Sequence, residues 1–239
     1  MAGRNSHLSP HFHQVEAALS QGPAVIFFRH AQREPIPAGI PVIECLTAYS
    51  LTEEGKKQAE SFGRYLKQTK SDLHVHAAIS SPSGRCVDTV EQMLIGMERH
   101  DLLPTMQKEP MLAGKGLIRS VYAQPMIDDI NNYRKGVTGE LPISDEHSFQ
   151  GAANKLVKYL ACKLRDLPEK PGCSVTLCCS HDWFIGLIVG TYLTTGKDFQ
   201  MSDLPEMLEC MLIQKGPAGK DALIIRYRGQ SVTVPVLCD

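Results

Sequence analysis

The 239-residue chain carries almost no net charge: 25 Lys and Arg against 26 Asp and Glu leave a formal −1. No global basic field is therefore available to attract nucleic acid or an anionic membrane, and neither is expected as a partner. Long apolar runs are lacking too. The longest, around Trp183 to Val189, falls far short of the roughly 20 residues a membrane span needs. The opening residues, MAGRNSHLSPHFHQVEAALSQGP, hold no continuous apolar stretch with a small-residue cleavage site, so a cytoplasmic location is expected. The eight cysteines include no Cys-x-x-Cys pair, which argues against zinc held by cysteine. They are scattered, and Cys178 and Cys179 fall inside an apolar run, so small buried thiols in a reducing compartment are expected. No internal repeat or low-complexity segment stands out.

What is present suits one soluble domain spanning 1–239: 43% hydrophobic and 21% charged residues leave ample core material. Ala24 to Phe28, Val75 to Ser80 and Ser174 to Cys179 are short, nearly continuous apolar runs, the pattern of parallel strands covered on both faces. Helical patterns lie between them. Thr52 is placed to cap a helix with Glu53 and Glu54 in its first turn and Ala59, Phe62 and Leu66 on one face. Ser81 followed by Pro82 predicts a second start, continued by Val90, Met93, Leu94 and Met97. Phe149, Ala153, Leu156, Leu160 and Leu164 predict a third helix. Glu209 to Gln214 and Ala222 to Tyr227 predict a late antiparallel edge. The expected fold is a three-layer α/β sandwich with a mostly parallel sheet flanked by helices. The stretch 100–147, broken by Pro and Gly and without strong period, is expected to form a small cap or lid.

Chemistry gathers at the ends of the three parallel strands. Arg29-His30-Ala31-Gln32-Arg33-Glu34-Pro35 follows the first, Ser81-Pro82-Ser83-Gly84-Arg85 the second, and Ser180-His181-Asp182 the third. The C-terminal ends of parallel strands share one edge, where ligands bind. Three arginines, two histidines and one aspartate are thus expected on one rim. Guanidinium forks match phosphate oxygens and stay charged, so the expected ligand is a dianionic phosphoryl group. Each group also has a plainer reading. Arg29 with His30 could be surface charge, Arg85 a solvated first-turn residue, and Asp182 a helix N-cap. The spacings His11/His13 and His74/His76 could chelate a metal, but a structural role is the plainer reading for both pairs. Cys86 reads as packing, and Trp183 as either pocket wall or core.

Arg-His-x-x-Arg-x-Pro, expected by chance in about one chain in a thousand of this composition, followed far downstream by His-Asp, resembles the histidine acid phosphatases. These form the second branch of the histidine phosphatase superfamily, whose fold is shared with phosphoglycerate mutase. Leu51-Thr52-Glu53-Glu54-Gly55 and the segment Ser81 to Thr89 extend the resemblance. It implies a metal-independent, cofactor-free phosphomonoester hydrolase in which His30 is the nucleophile and Asp182 the general acid. Arg29, Arg33, Arg85 and His181 would hold the phosphate of a small phosphomonoester or a phosphopeptide. The family usually has Gly where Ala31 stands, and a positive φ there would strain the chain. In the first branch the acid is a Glu after the third arginine, for which Glu109 is the nearest candidate. A phosphoglycerate-mutase-like phosphotransferase and a non-catalytic phospho-ligand binder remain the alternatives.

Overall fold

The computed structural model describes residues 19, 22–35, 49–115, 117, 149–168, 173–194, 198–217 and 222–235. The elements in chain order are β1 (Ala24–Arg29), α1 (Glu53–Thr69), β2 (Leu73–Ser80), α2 (Gly84–Gly96), a short β3 (Gln107–Lys108), α3 (Phe149–Arg165), β4 (Cys173–Ser180), α4 (Asp182–Ile188) and the strands β5 (Cys210–Lys215), β6 (Ala222–Tyr227) and β7 (Gln230–Pro235). They form one seven-stranded sheet in the order β3-β2-β4-β1-β5-β6-β7. The block from β3 to β1 is parallel, and β5, β6 and β7 continue it antiparallel.

The alternating side chains of β1 divide the core in two. Ala24, Ile26 and Phe28 pack with Ala59, Phe62 and Leu66 of α1 and Val90, Met93 and Leu94 of α2. Val25 and Phe27 face the other way, onto Leu156 and Leu160 of α3 and Ile185 and Ile188 of α4. This is the expected three-layer sandwich. Every residue of β4 is buried, as befits a strand with neighbours on both sides and helices on both faces.

On one face, α1 and α2 approach backbone to backbone. A Cβ on Gly63 would sit 2.1 Å from the Met93 carbonyl oxygen, and one on Gly96 would sit 2.0 Å from that of Glu60. Thr52 caps α1 as expected, its hydroxyl accepting from the Gly55 N–H at 2.9 Å. By contrast, α2 begins two residues beyond the predicted Pro82, with Ser83 in the cap position and no side-chain cap bond. The Ser81 hydroxyl accepts from the Ser83 N–H at 3.4 Å and also faces the ring of His181 at 3.0 Å. Two strands had no sequence signal: β3 has only two residues, and the edge strand β7 exposes most of its side chains.

The first part of the stretch expected as a cap packs against the α/β body. There β3 pairs with β2, and Leu112 and Leu117 are fully buried in the core. Residues 116 and 118–148, which hold the rest of that expectation, lie outside the described residues, as do His11 and His13. His74 and His76 are both exposed, and the register with β4 shifts between Val75 and Ala77, so they do not share a regular strand face. Among the described residues, no group of three His, Cys, Asp or Glu could hold a metal ion. No described helix is long and apolar enough to cross a membrane. Cys86, Cys173, Cys178, Cys179 and Cys210 are buried free thiols, and Cys162 is an exposed one.

Candidate active site

The rim at the C-terminal ends of β1, β2 and β4 collects the predicted residues. His30, one residue past β1, is only 2% exposed. Its Nδ1 lies 2.8 Å from the carbonyl oxygen of Ala31, which can only accept, so Nδ1 carries the proton. Nε2 therefore presents a lone pair, and Nε of Arg85 donates to it at 3.1 Å. The second histidine is held in the opposite sense. Nη2 of Arg85 lies 3.1 Å from His181 Nδ1, which must accept, so the His181 proton sits on Nε2 and points to Ser81 Oγ at 3.0 Å. One guanidinium thus spans two neutral imidazoles whose centroids are 5.4 Å apart.

Both histidines titrate well below the ordinary value of 6.5. For His30 the chief cause is burial, followed by the charge of Arg85. The hydrogen bond to Ala31 opposes these, and Arg29 and Arg33 add smaller depressions. For His181 burial again leads, followed by Arg85, His30, Arg29 and Arg33. All three predicted arginines therefore exert their field on both rings. That field favours an uncharged, nucleophilic imidazole and attracts an anion.

Ala31 is fully buried, and it is not among the residues with positive φ, so its Cβ imposes no strain here. Its N–H donates to Thr89 Oγ1 at 3.1 Å, and that hydroxyl donates to the Arg85 carbonyl at 2.6 Å. One buried threonine thus couples the loop carrying the nucleophile to the helix carrying Arg85. The hydroxyl of Ser81 accepts from His181 Nε2, in the tautomer that Arg85 imposes. Sequence reasoning gave Thr89 no role and Ser81 only that of a helix cap. The one available signal was that Thr89 lies one helical turn beyond Arg85, on the same face.

Asp182 occupies the first turn of α4, with His181 rather than itself in the cap position. Its Oδ2 pairs with Arg29 Nη2 at 2.8 Å, and its Oδ1 accepts from the Trp183 N–H at 2.8 Å. Arg29 spends its other terminal nitrogen on the Pro205 carbonyl at 2.7 Å, while its buried Nε has no hydrogen-bond partner. Arg33 stands at the bridge to Leu51, and its Nη1 donates to the Glu34 carbonyl at 2.8 Å. Glu109 follows β3, where its carboxylate accepts from the Met111 N–H at 2.9 Å. Trp183 is buried edge-on against Phe149, which is the core reading.

Two buried histidines are thus bridged by one arginine, with the charge of two further guanidiniums reaching both rings, an arrangement with the chemical means to hold an anion. Residues 25–113 match the Histidine phosphatase superfamily (branch 1). The matched stretch, less than half of the chain, is similar to that superfamily and carries Arg29, His30, Arg33 and Arg85. The branch is not the one the short motifs suggested. Arg-His-x-x-Arg-x-Pro and His-Asp resemble the acid phosphatases, whereas the matched model is of the first branch and extends from β1 past Leu112.

Among solved structures, the chain is similar to the mycobacterial glucosyl-3-phosphoglycerate phosphatase at 13% identity and TM-score 0.54, covering 85% of this chain and 95% of that one. A protein described as mycobacterial hydrolase 2 gives 15% identity and TM-score 0.54, covering 87% and 91%. The phosphoserine phosphatase of Entamoeba histolytica gives 18% identity and TM-score 0.50, covering 80% and 90%. These likenesses speak to the fold. No curated protein sequence matches the chain.

Proposed function

We propose that the protein is a phosphomonoester hydrolase acting through a phosphohistidine on His30. The observation that carries this reading is the state of His30. Its Nδ1–H is tied to the Ala31 carbonyl, and its Nε2 lone pair lies against Arg85 under the field of three arginines. A bound phosphate would draw the Arg85 guanidinium off Nε2 and onto its own oxygens, freeing the lone pair for in-line attack on phosphorus. Arg29, through its unpartnered Nε, with Arg33 and His181, would share the remaining oxygens and neutralise the charge of the transition state. Water would then hydrolyse the phosphohistidine. Since the cage itself supplies the positive charge, the reaction requires no metal.

His30→Ala should remove several orders of magnitude of turnover on an aryl phosphate, and the folded state should survive. Wild-type enzyme quenched during turnover should carry an acid-labile, base-stable phosphoryl group at residue 30. Activity that disappears with a chelator and returns with zinc or magnesium would overturn the mechanism.

Asp182 is our choice of proton donor, placed directly after His181 and paired with Arg29. The match of residues 25–113 to the first branch favours a second reading, Glu109. Asp182→Asn should harm alkyl phosphates far more than nitrophenyl phosphate, whose leaving group needs little protonation. The same contrast in Glu109→Gln, and its absence in Asp182→Asn, would transfer the role. The substrate we propose is a small phosphomonoester or a phosphopeptide, with the part of the stretch 100–147 that follows Leu117 as the cover that selects among them. Hydrolysis in preference to transfer is also part of this reading. An acceptor sugar phosphate that captures the phosphoryl group would make the protein a mutase-like transferase instead.

A further inference from the structure

We propose that Arg228 and Glu209, on the antiparallel side of the sheet, are positioning residues for Arg29. The proposal rests on the reading of Arg29 as a phosphate ligand. Arg29 is fastened to the segment between α4 and β5 at two points. Its backbone N–H donates to the Glu209 carbonyl at 3.2 Å, and its Nη1 donates to the Pro205 carbonyl at 2.7 Å. Together with Asp182, these contacts use both terminal nitrogens and leave Nε as the donor without a protein partner. The direction in which Nε points is therefore set by where the Pro205 carbonyl stands.

That carbonyl belongs to a segment with little regular structure, and one arginine pins it. Arg228 Nη1 donates to the Ser202 carbonyl at 2.6 Å and Nη2 to that of Leu204 at 3.1 Å, on the residue just before Pro205. Arg228 also grips the Glu209 carboxylate through Nε and Nη2, each at 2.7 Å. Glu209 is 2% exposed, and its carboxylate further accepts from the Tyr227 hydroxyl at 3.1 Å and the Glu206 N–H at 2.8 Å. The hydrogen bonds hold its titration below the ordinary carboxylate value in spite of burial, which acts the other way.

The arrangement is costly. It buries a carboxylate, and Leu208, next to Glu209, stands at φ 59° in the left-handed region that non-glycine residues avoid. A well-packed apolar pair would close the same corner without these penalties. The distinctive result of this arrangement is a fixed Pro205 carbonyl, and so a guanidinium held ready in the cage before phosphate arrives. Preorganised charge of this kind avoids reorganisation on binding and in the transition state.

The test is a cycle of variants read by vanadate binding in a calorimeter, which needs no turnover. Arg228→Met should weaken vanadate by about tenfold, the scale expected when a binding group is misplaced by a fraction of an ångström. In an Arg29→Ala background the same change should have no effect on vanadate, because the residue it positions is gone. Arg228→Lys keeps a charge on Glu209 but cannot reach both loop carbonyls, so it should fall between, and it serves if the methionine variant does not fold. Equal weakening in both backgrounds, or a drop in melting temperature with unchanged vanadate affinity, would reduce the network to a structural role and overturn the proposal. Wild-type protein that ignores vanadate altogether would instead remove the phosphate-site reading beneath it.

Discussion

Arg85 donates to two imidazoles at once, and this has a consequence for stability as well as chemistry. His30 and His181 are neutral and buried in the folded protein, with proton affinities well below the ordinary value of 6.5. Once unfolded, both rings recover that ordinary affinity. Between the folded and unfolded values the unfolded chain binds more protons, so stability rises with pH there and falls as pH drops below 6.5. The loss is complete only once pH has passed through the depressed folded values. Urea midpoints measured from about pH 7 down to about pH 5 should therefore decline in the wild type. His181→Asn, which keeps a polar ring-sized group but cannot be protonated, should flatten that decline. An unchanged slope would mean that His181 is protonated in the folded state as well.

At the scale of elements, the contact between α1 and α2 sets how Arg85 stands against β1. Gly63 and Gly96 let the two helices meet at backbone distance. Gly63→Ala would thrust a methyl group onto the Met93 carbonyl and force the helices apart, a strain of about 1–3 kcal/mol. Denaturant titration should show that loss, and α2 should carry Arg85 away from His30 so that turnover falls too. The sequence announced these helices through spacing alone: Thr52 before two glutamates, then Ala59, Phe62 and Leu66. The parallel strands were equally legible, because burial on both faces leaves an unbroken apolar run. The start of α2 was less so: the Ser81 hydroxyl accepts from the Ser83 N–H and faces His181, 100 residues distant, and the helix begins only at Gly84. Legibility of the site followed the same division. His30, the arginines, His181 and Asp182 each follow a strand, so topology alone gathers them. Thr89, Ser81, Glu209 and Arg228 act through tertiary contacts, and no local pattern marks them.

For the whole molecule, the open question is how much of a substrate beyond its phosphate is recognised. Pro125, Pro142, Gly136 and Gly139 punctuate the sequence after Leu117, a composition poor in the long apolar runs that would line a deep pocket. Binding should then come mainly from the phosphate cage. A panel of sugar phosphates, nucleotides, inositol phosphates and phosphopeptides should be turned over with similar efficiency. One compound preferred by ~10³-fold, roughly 4 kcal/mol, would reveal a selective pocket. The order of the sheet bears on a different matter, the chain's emergence from the ribosome. Strand β1 is made early, yet both its neighbours, β4 and β5, begin only at Cys173 and Cys210. Until Lys215 has been synthesised, Val25, Ile26, Phe27 and Phe28 have at least one open edge and no finished core to enter. A nascent chain in that condition presents an apolar strand for pairing with any neighbour, the hazard that holding chaperones relieve. The strand that carries the nucleophile is thus the one that waits longest for its place.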